Sequence, residues 1–347
     1  MPARQRIEYF DVLRAIAIVA VVVLHTAASR WYSLPSSSTS WQALNIYDSI
    51  VRFCVPIFFM ISGALFLRPE QNITIRSMMR KSIPRLLLAF GVWSIFYVAW
   101  RGFGPAGFGS PKDAVAQLVL GYYHLWFIYA LIGLYLVTPL LRKIVADRAM
   151  AWYFVALAAV VASFLPMLVE VPVLGPVVAA ALDKAQLHLV LGYSMFFVLG
   201  HLLNTVALSR AALRWCLLGG LAGIAITALG TFWLSSVQGK NTVFFYQYLT
   251  PNVVIVAVAV FCAAKYWGER YSMSARWRRV IGPISAYSFG IYMVHPFFQE
   301  LLAGYGINSA LVHPVFSVPM VAVAILIPSF LAAAVVRRIP KVGAYIA

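Results

Sequence analysis

Arg14 and His25 lie in one apolar stretch of the chain, YFDVLRAIAIVAVVVLH (9–25), where an ionisable side chain is expensive and by default marks a functional site. His25 stands eleven positions after Arg14. At about 100° and about 1.5 Å per residue this is three helical turns plus about 20°, so both side chains leave one helix face with a rise of roughly 16 Å between them. An imidazole is a general base at neutral pH, and a guanidinium is a permanent partner for anions. Each alone has a plainer use: Arg14 can snorkel toward headgroups and pair with Asp11, and His25 can sit at the membrane interface. Their alignment favours a shared pathway.

The other histidines add to this picture. His124, His188, His295 and His313 fall in the same half of their apolar segments as His25, with His124 about eight residues into its segment, and only His201 lies toward the opposite side. No pair has helical metal-ligand spacing and acids are scarce, so no metal site is expected and general-base chemistry is the better use. Asp11 cannot orient His25, because fourteen residues place it about 21 Å away along the helix. Asp48 and Glu300 can do so if packing brings either close, although Asp48 also stands four residues before Arg52 and can simply neutralise it. Cys54, Cys216 and Cys262 are far apart in apolar sequence and read as packing residues. The GFGPAGFG run (102–109) contains a formal GxGxxG pattern but follows an apolar segment and includes Pro105, so it reads as a loop.

The elements that must position these residues follow from composition. Of 347 residues 63% are hydrophobic and only 11% charged, against about 25% charged in soluble domains, which excludes a soluble two-domain enzyme. The net charge of +17 would suit a nucleic-acid binder only if the basic groups shared a solvated face, and here long apolar runs lie between them, so no nucleic acid is expected. Ten segments reach membrane-spanning length: about 9–29, 43–67, 83–101, 116–141, 149–168, 186–206, 212–234, 247–266, 280–302 and 312–336. Arg14, with Glu8 and Asp11 just before it, argues against a cleavable signal in the first. The expected fold is all-α, a polytopic integral membrane protein with membrane lipids around a single transmembrane domain, 1–347. With the N-terminus in the cytoplasm, twenty basic residues fall inside, from Arg4 and Arg6 to Lys341. Five fall outside, namely Arg30, Arg101, Lys112, Lys184 and Lys240, and both termini are then cytoplasmic.

The opening helix resembles the first helix of the acyltransferase-3 family of bacterial integral-membrane acyltransferases. Further matches follow in order: VPIFFMISGALFL (55–67), RKSIPRLLLAFGVWSIFY (80–97), HLWFIYALIGLYLVTPLLR (124–142) and SFGIYMVHPFF (288–298). The resemblance implies an O-acyltransferase of the bacterial inner membrane, moving an acyl group, usually acetyl from acetyl-CoA as co-substrate, to a hydroxyl of a cell-surface carbohydrate or lipid-linked glycan acceptor. It implies a catalytic role for His25 and a role in donor use for Arg14. Some relatives carry a tight Arg, two residues, Arg pattern in the cytoplasmic loop; here the spacings are Arg76 to Arg80 and Lys81 to Arg85.

The pantetheine arm of such a donor is on the order of 15–20 Å long, comparable to the Arg14–His25 rise. Arg80, Lys81 and Arg85 would then supply charge-assisted contacts to its phosphates, Arg14 would guard the channel mouth, and Ser62 beside Gly63 would let the donor approach the backbone. Topology alone also accounts for the basic loop, and Ser62–Gly63 also suits close helix packing. His124, Trp126 and His295 are expected to line the acceptor pocket. His25 acts as general base or as an acyl-carrying nucleophile. The competing class is a glycan or solute transporter without acyl chemistry, and a cytosolic acceptor would need a pocket near His201.

Overall fold

The computed structural model describes residues 7–71, 73–104, 107–185 and 191–347, so Arg4, Arg6, Pro105 and His188 lie outside the described residues. Among those described the chain is helical without strands. Eight helical stretches among the described residues are long and apolar enough to cross a membrane: Glu8–Trp31, Thr39–Phe66, Ile75–Gly102, Trp126–Ile144, Arg148–Glu170, Arg210–Gln238, Phe244–Gly268 and Pro314–Arg337. They match eight of the ten segments. Of the sixth, the described helix is Ser194–Thr205; the ninth is divided at Tyr287 into Ala275–Ala286 and Ser288–Gly304.

We label the elements used below α1 (Glu8–Trp31), α2 (Thr39–Val51), α3 (Cys54–Phe66), α4 (Ile83–Gly102), α5 (Pro111–Leu120), α6 (Trp126–Ile144), α7 (Ser194–Thr205), α8 (Arg210–Gln238), α9 (Pro251–Gly268), α10 (Ala275–Ala286), α11 (Ser288–Gly304) and α12 (Pro314–Arg337). The breaks have local causes. Pro56 has no N–H for the Arg52 carbonyl, and the helix is interrupted at Arg52–Phe53 between α2 and α3. Gly121, at φ 75°, ends α5 and turns the chain before α6. His124 therefore sits just ahead of the fourth span rather than two turns inside it, which corrects the expectation from hydropathy alone.

α1 is the central helix, packed against α2, α3, α9, α10, α11 and α12, so Arg14 and His25 project from a helix with neighbours on most sides. Peripheral helices are apolar toward the outside as well: α12 exposes Met320, Val323, Ile327, Leu331 and Val335 at three- and four-residue intervals, the pattern of a lipid-facing helix. At the α3–α7 contact a Cβ on Gly63 would lie 1.8 Å from the Phe197 carbonyl oxygen, and one on Gly200 would lie 2.1 Å from that of Met60. The two backbones touch, the small-residue packing typical of membrane helices.

The loops sort to two ends. At one, Arg278 pairs with Glu8 at 2.6 Å, Arg142 donates to the carbonyls of Phe66, Arg68 and Gln71, and Lys265 donates to those of Leu203, Asn204 and Val206. At the other, Asn241 donates to the Trp31 and Leu34 carbonyls and Ser29 meets Ser309. The first end collects most of the basic segment ends; it is labelled the inner end and the other the outer end, after the orientation expected from sequence.

Candidate active site

His25 is half-buried near the outer end of α1, and its side chain lines a cavity of about 40 Å³, enough for a water-sized group or two. The other walls are Val21 and Leu24 of α1, Cys54 and Val55 of α3, Tyr123, Trp126, Tyr248 and Tyr292. Trp126 stacks on Tyr248, with ring centres 5.8 Å apart, and leans on Tyr193. No hydrogen bond engages the His25 ring among the described residues, while its carbonyl accepts from Gln299 Nε2 at 3.1 Å. The ring is thus free to act on a substrate.

Behind it stand two more imidazoles. The His25 and His295 ring centres are 5.1 Å apart, and those of His295 and His124 are 5.6 Å apart. His295 is fully buried and lies behind the cavity wall. Its Nδ1 is 2.8 Å from the Tyr292 carbonyl oxygen. That oxygen is available because Pro296, four residues on, has no N–H to give it. The Tyr292 hydroxyl in turn donates to the His124 carbonyl, tying α11 to the turn before α6. Neither ring nitrogen of His124 makes a hydrogen bond, although the Met293 carbonyl, which already accepts from Tyr97, lies beside that ring. No group of three or more His, Cys, Asp or Glu among the described residues is arranged to hold a metal ion.

Neither carboxylate named as a possible orienter of His25 bonds to it. Asp48 forms an ion pair with Arg52 at 2.6 Å, and the Arg52 guanidinium lies over the rings of Tyr246 and Tyr248 at 4.4 and 5.8 Å. The i,i+4 pairing thus neutralises a buried arginine and braces the tyrosine wall of the His25 cavity. Glu300 is exposed and accepts from Trp100 Nε1 at 2.9 Å and from the Tyr122 hydroxyl.

At the inner end, Arg14 is partly exposed and lies 3.5 Å from Asp11, whose carboxylate also accepts from Ser285 at 2.7 Å. Arg80 and Lys81 are exposed on a π-helical turn, Met78–Ser82, that leads into α4. Arg85 donates to the Ala344 carbonyl at 3.0 Å. Ser62 is half-buried and makes no side-chain hydrogen bond among the described residues, but Gly63 beside it is closed by α7, so no ligand reaches the backbone there. His201 lines a separate cavity of about 350 Å³ with Arg68, Glu70 and Asn204.

Of the residues singled out from sequence, His25 and Trp126 share the cavity, with His295 and His124 in a line behind it. Tyr248, Tyr292 and Cys54 were not singled out for the site. Tyr292 stands three residues before His295 in SFGIYMVHPFF, a spacing that puts both on one helix face, whereas nothing local in sequence marks Tyr248 or Cys54.

A helical chain with eight membrane-length helices and a polar site around a central-helix imidazole is a polytopic membrane protein. Residues 7–338 match the family model Acyl_transf_3, described as Acyltransferase domain, and the chain belongs to this family of membrane acyltransferases. No curated protein and no solved structure matches it.

Proposed function

We propose that the protein is an O-acyltransferase of the bacterial inner membrane. In this reading it takes acetyl from acetyl-CoA on the cytoplasmic side and delivers it to a hydroxyl of a cell-surface or lipid-linked carbohydrate, with both termini cytoplasmic. The observation that carries the reading is the His25 ring, unengaged by hydrogen bonds and facing an aromatic cavity at the end of the bundle opposite the basic loops. His25 takes the proton of the acceptor hydroxyl as its oxygen attacks the thioester carbonyl; the C–S bond then breaks, and the departing thiolate recovers the proton from the imidazolium. Trp126, Tyr248 and Tyr123 present faces to the acceptor. Arg80, Lys81 and Arg85 hold the donor phosphates, and Arg14 stands about 16 Å below His25 where the arm enters.

A second cavity supports the lipid-linked form of the acceptor. It has a volume of about 950 Å³, is lined mainly by apolar residues of α6 and of the Arg148–Glu170 stretch, and shares Tyr248 with the His25 cavity. A hydrocarbon chain lying there would leave its head group beside the aromatic wall.

The test uses membranes from the native cell, which carry the acceptor, supplied with acetyl-CoA labelled in the acetyl group. Transfer of label to envelope carbohydrate with release of free thiol is expected from wild type and not from His25→Ala. Equal transfer by both removes His25 from the chemistry, and label found only in a cytosolic product overturns the outward direction. Arg14→Ala should raise the acetyl-CoA concentration needed for half-maximal rate; an unchanged requirement makes Arg14 a snorkelling residue paired with Asp11.

A further inference from the structure

We propose that His295 orients His25, accepting one ring N–H of His25 on its own Nε2 and so holding the catalytic imidazole in a single tautomer with its other nitrogen directed at the acceptor hydroxyl. The proposal rests on the reading of His25 as general base. It begins with a proline. Pro296 lacks the N–H that would close the helical bond to Tyr292, and His295 Nδ1 fills that role at 2.8 Å, with the Ile291 carbonyl at 3.3 Å. A carbonyl oxygen only accepts, so Nδ1 carries the hydrogen, and Nε2 of the neutral ring is a lone pair. The sequence His-Pro thus locks the tautomer of His295.

Nε2 is buried and finds no partner among the described residues, an exception that calls for a donor. Most of the polar side chains around it are spoken for or of the wrong kind. The Tyr292 hydroxyl is given to the His124 carbonyl, and that of Tyr97 to the Met293 carbonyl. The Gln299 amide nitrogen gives one of its two hydrogens to the His25 carbonyl, and its Oε1 can only accept. Of the rings in contact with His295, Tyr292 is thus committed and the N–H groups of His25 and His124 remain; His25 is the nearer, with ring centres 5.1 Å apart against 5.6 Å. Two imidazoles about 5 Å apart are within reach of a ring-to-ring bond, since each nitrogen lies about 1.1 Å from its ring centre and the bond takes about 3 Å. The bond requires the His25 ring to turn about its Cβ–Cγ bond until an N–H faces Nε2, since the two rings are not hydrogen-bonded as they stand.

The carboxylates that would serve in this role are committed elsewhere, Asp48 to Arg52 and Glu300 to Trp100 and Tyr122. His295 thus acts as a positioning residue, the third group that orients a base. It gains no proton in the reaction. The proton from the acceptor hydroxyl enters the free nitrogen of His25 and leaves on the donor thiolate, while His295 accepts the same hydrogen bond throughout and stabilises the transient imidazolium.

The test compares His295→Leu and His295→Gln with wild type and His25→Ala, all as the full chain in native-cell membranes with labelled acetyl-CoA. His295→Leu should lower kcat about 10- to 100-fold with KM for acetyl-CoA unchanged, the loss usual for a group that supports a reactive one. His295→Gln, whose side-chain carbonyl reaches the place of Nε2, should recover most of that rate. Nitrogen-15 spectra of ring-labelled histidines in the purified protein, with the His25 signals assigned by their loss in His25→Ala, should show one His25 tautomer in wild type and His295→Gln and a mixture in His295→Leu. An unchanged kcat in His295→Leu, a Gln variant as slow as the Leu variant, or a His25 tautomer ratio that His295→Leu does not move overturns the proposal. If His295→Leu does not fold, the rate and tautomer of His295→Gln decide: a single tautomer at near wild-type rate supports the proposal, and a mixture at a reduced rate overturns it. Wild-type transfer by His25→Ala would instead defeat the general-base reading, while the spectra still report whether the two rings are bonded.

Discussion

The two ends of the bundle handle charge in opposite ways. At the outer end, two buried imidazoles, the half-buried His25 and an Asp48–Arg52 pair are packed among tyrosines, with ring contacts of 5–6 Å and a tautomer fixed by one proline. At the inner end the positive charges are partly capped by carbonyls, as Arg142 and Lys265 are, or left exposed, as Arg80 and Lys81 are. Buried polar groups depend on particular partners, because nothing replaces a lost one, whereas exposed charges act as a sum that water and salt dilute. The outer end is therefore suited to selecting geometry and the inner end to attracting charge.

Substitutions should reveal this contrast. The largest effect is expected at His25, where Ala should cut the initial rate of thiol release by about 10²- to 10⁴-fold. If single losses at Arg80 or Lys81 cost as much, the inner end is as specific as the outer and the contrast fails. Next comes the buried pair. Arg52→Leu leaves the Asp48 carboxylate unpaired beside Tyr246 and should destabilise the fold by about 3–5 kcal/mol, read as a lower midpoint of thermal unfolding in detergent. The double variant with Asp48→Asn should lose less than the two single changes together; strict additivity would show that the pair is not coupled.

Smaller changes are expected on the inner face. Arg80→Gln, Lys81→Gln and Arg85→Gln should each raise KM for acetyl-CoA about two- to fivefold without changing kcat, with smaller effects at high salt, as befits exposed ion contacts of roughly 0.5–1 kcal/mol. A change in kcat instead would place one of them at the reacting atoms. The smallest effect concerns the cap of α5. There the Ser110 hydroxyl and backbone N–H hold the exposed Asp113 carboxyl below the usual carboxylate range. A lowered folded pKa means the cap contributes above the unfolded value and is lost as pH falls through the folded one. Acid should therefore increase amide exchange at the start of α5, and Asp113→Asn should remove that pH dependence.

Much of this architecture can be read from sequence because a membrane imposes it residue by residue. An apolar run of about twenty residues has to be helical in lipid, and the basic residues of successive loops alternate between sides, so the spans and their pairing into two ends follow without knowledge of packing. The common face of Arg14 and His25 follows likewise from helix period alone. Hydropathy does not register a break that leaves the flanking sequence apolar. The turn at Gly121 and the division at Tyr287 therefore came only from the structure, and the first moved His124 from inside a span to its mouth.

The site divides along the same line. Sequence alone puts His25 near one end of its apolar helix, on the face that Arg14 shares, since ionisable residues in apolar runs are few and their helical phase is fixed. Which side chains meet it was decided by tertiary structure, because residues separated by 29 to 270 positions become neighbours only when α1, α3, α6 and α11 pack together. That packing directed Asp48 to Arg52 and Glu300 to Trp100 and Tyr122, and it placed Cys54 and Tyr248 in the cavity wall. It also set His295 behind His25, with a lone pair whose direction was written locally by the next residue, Pro296.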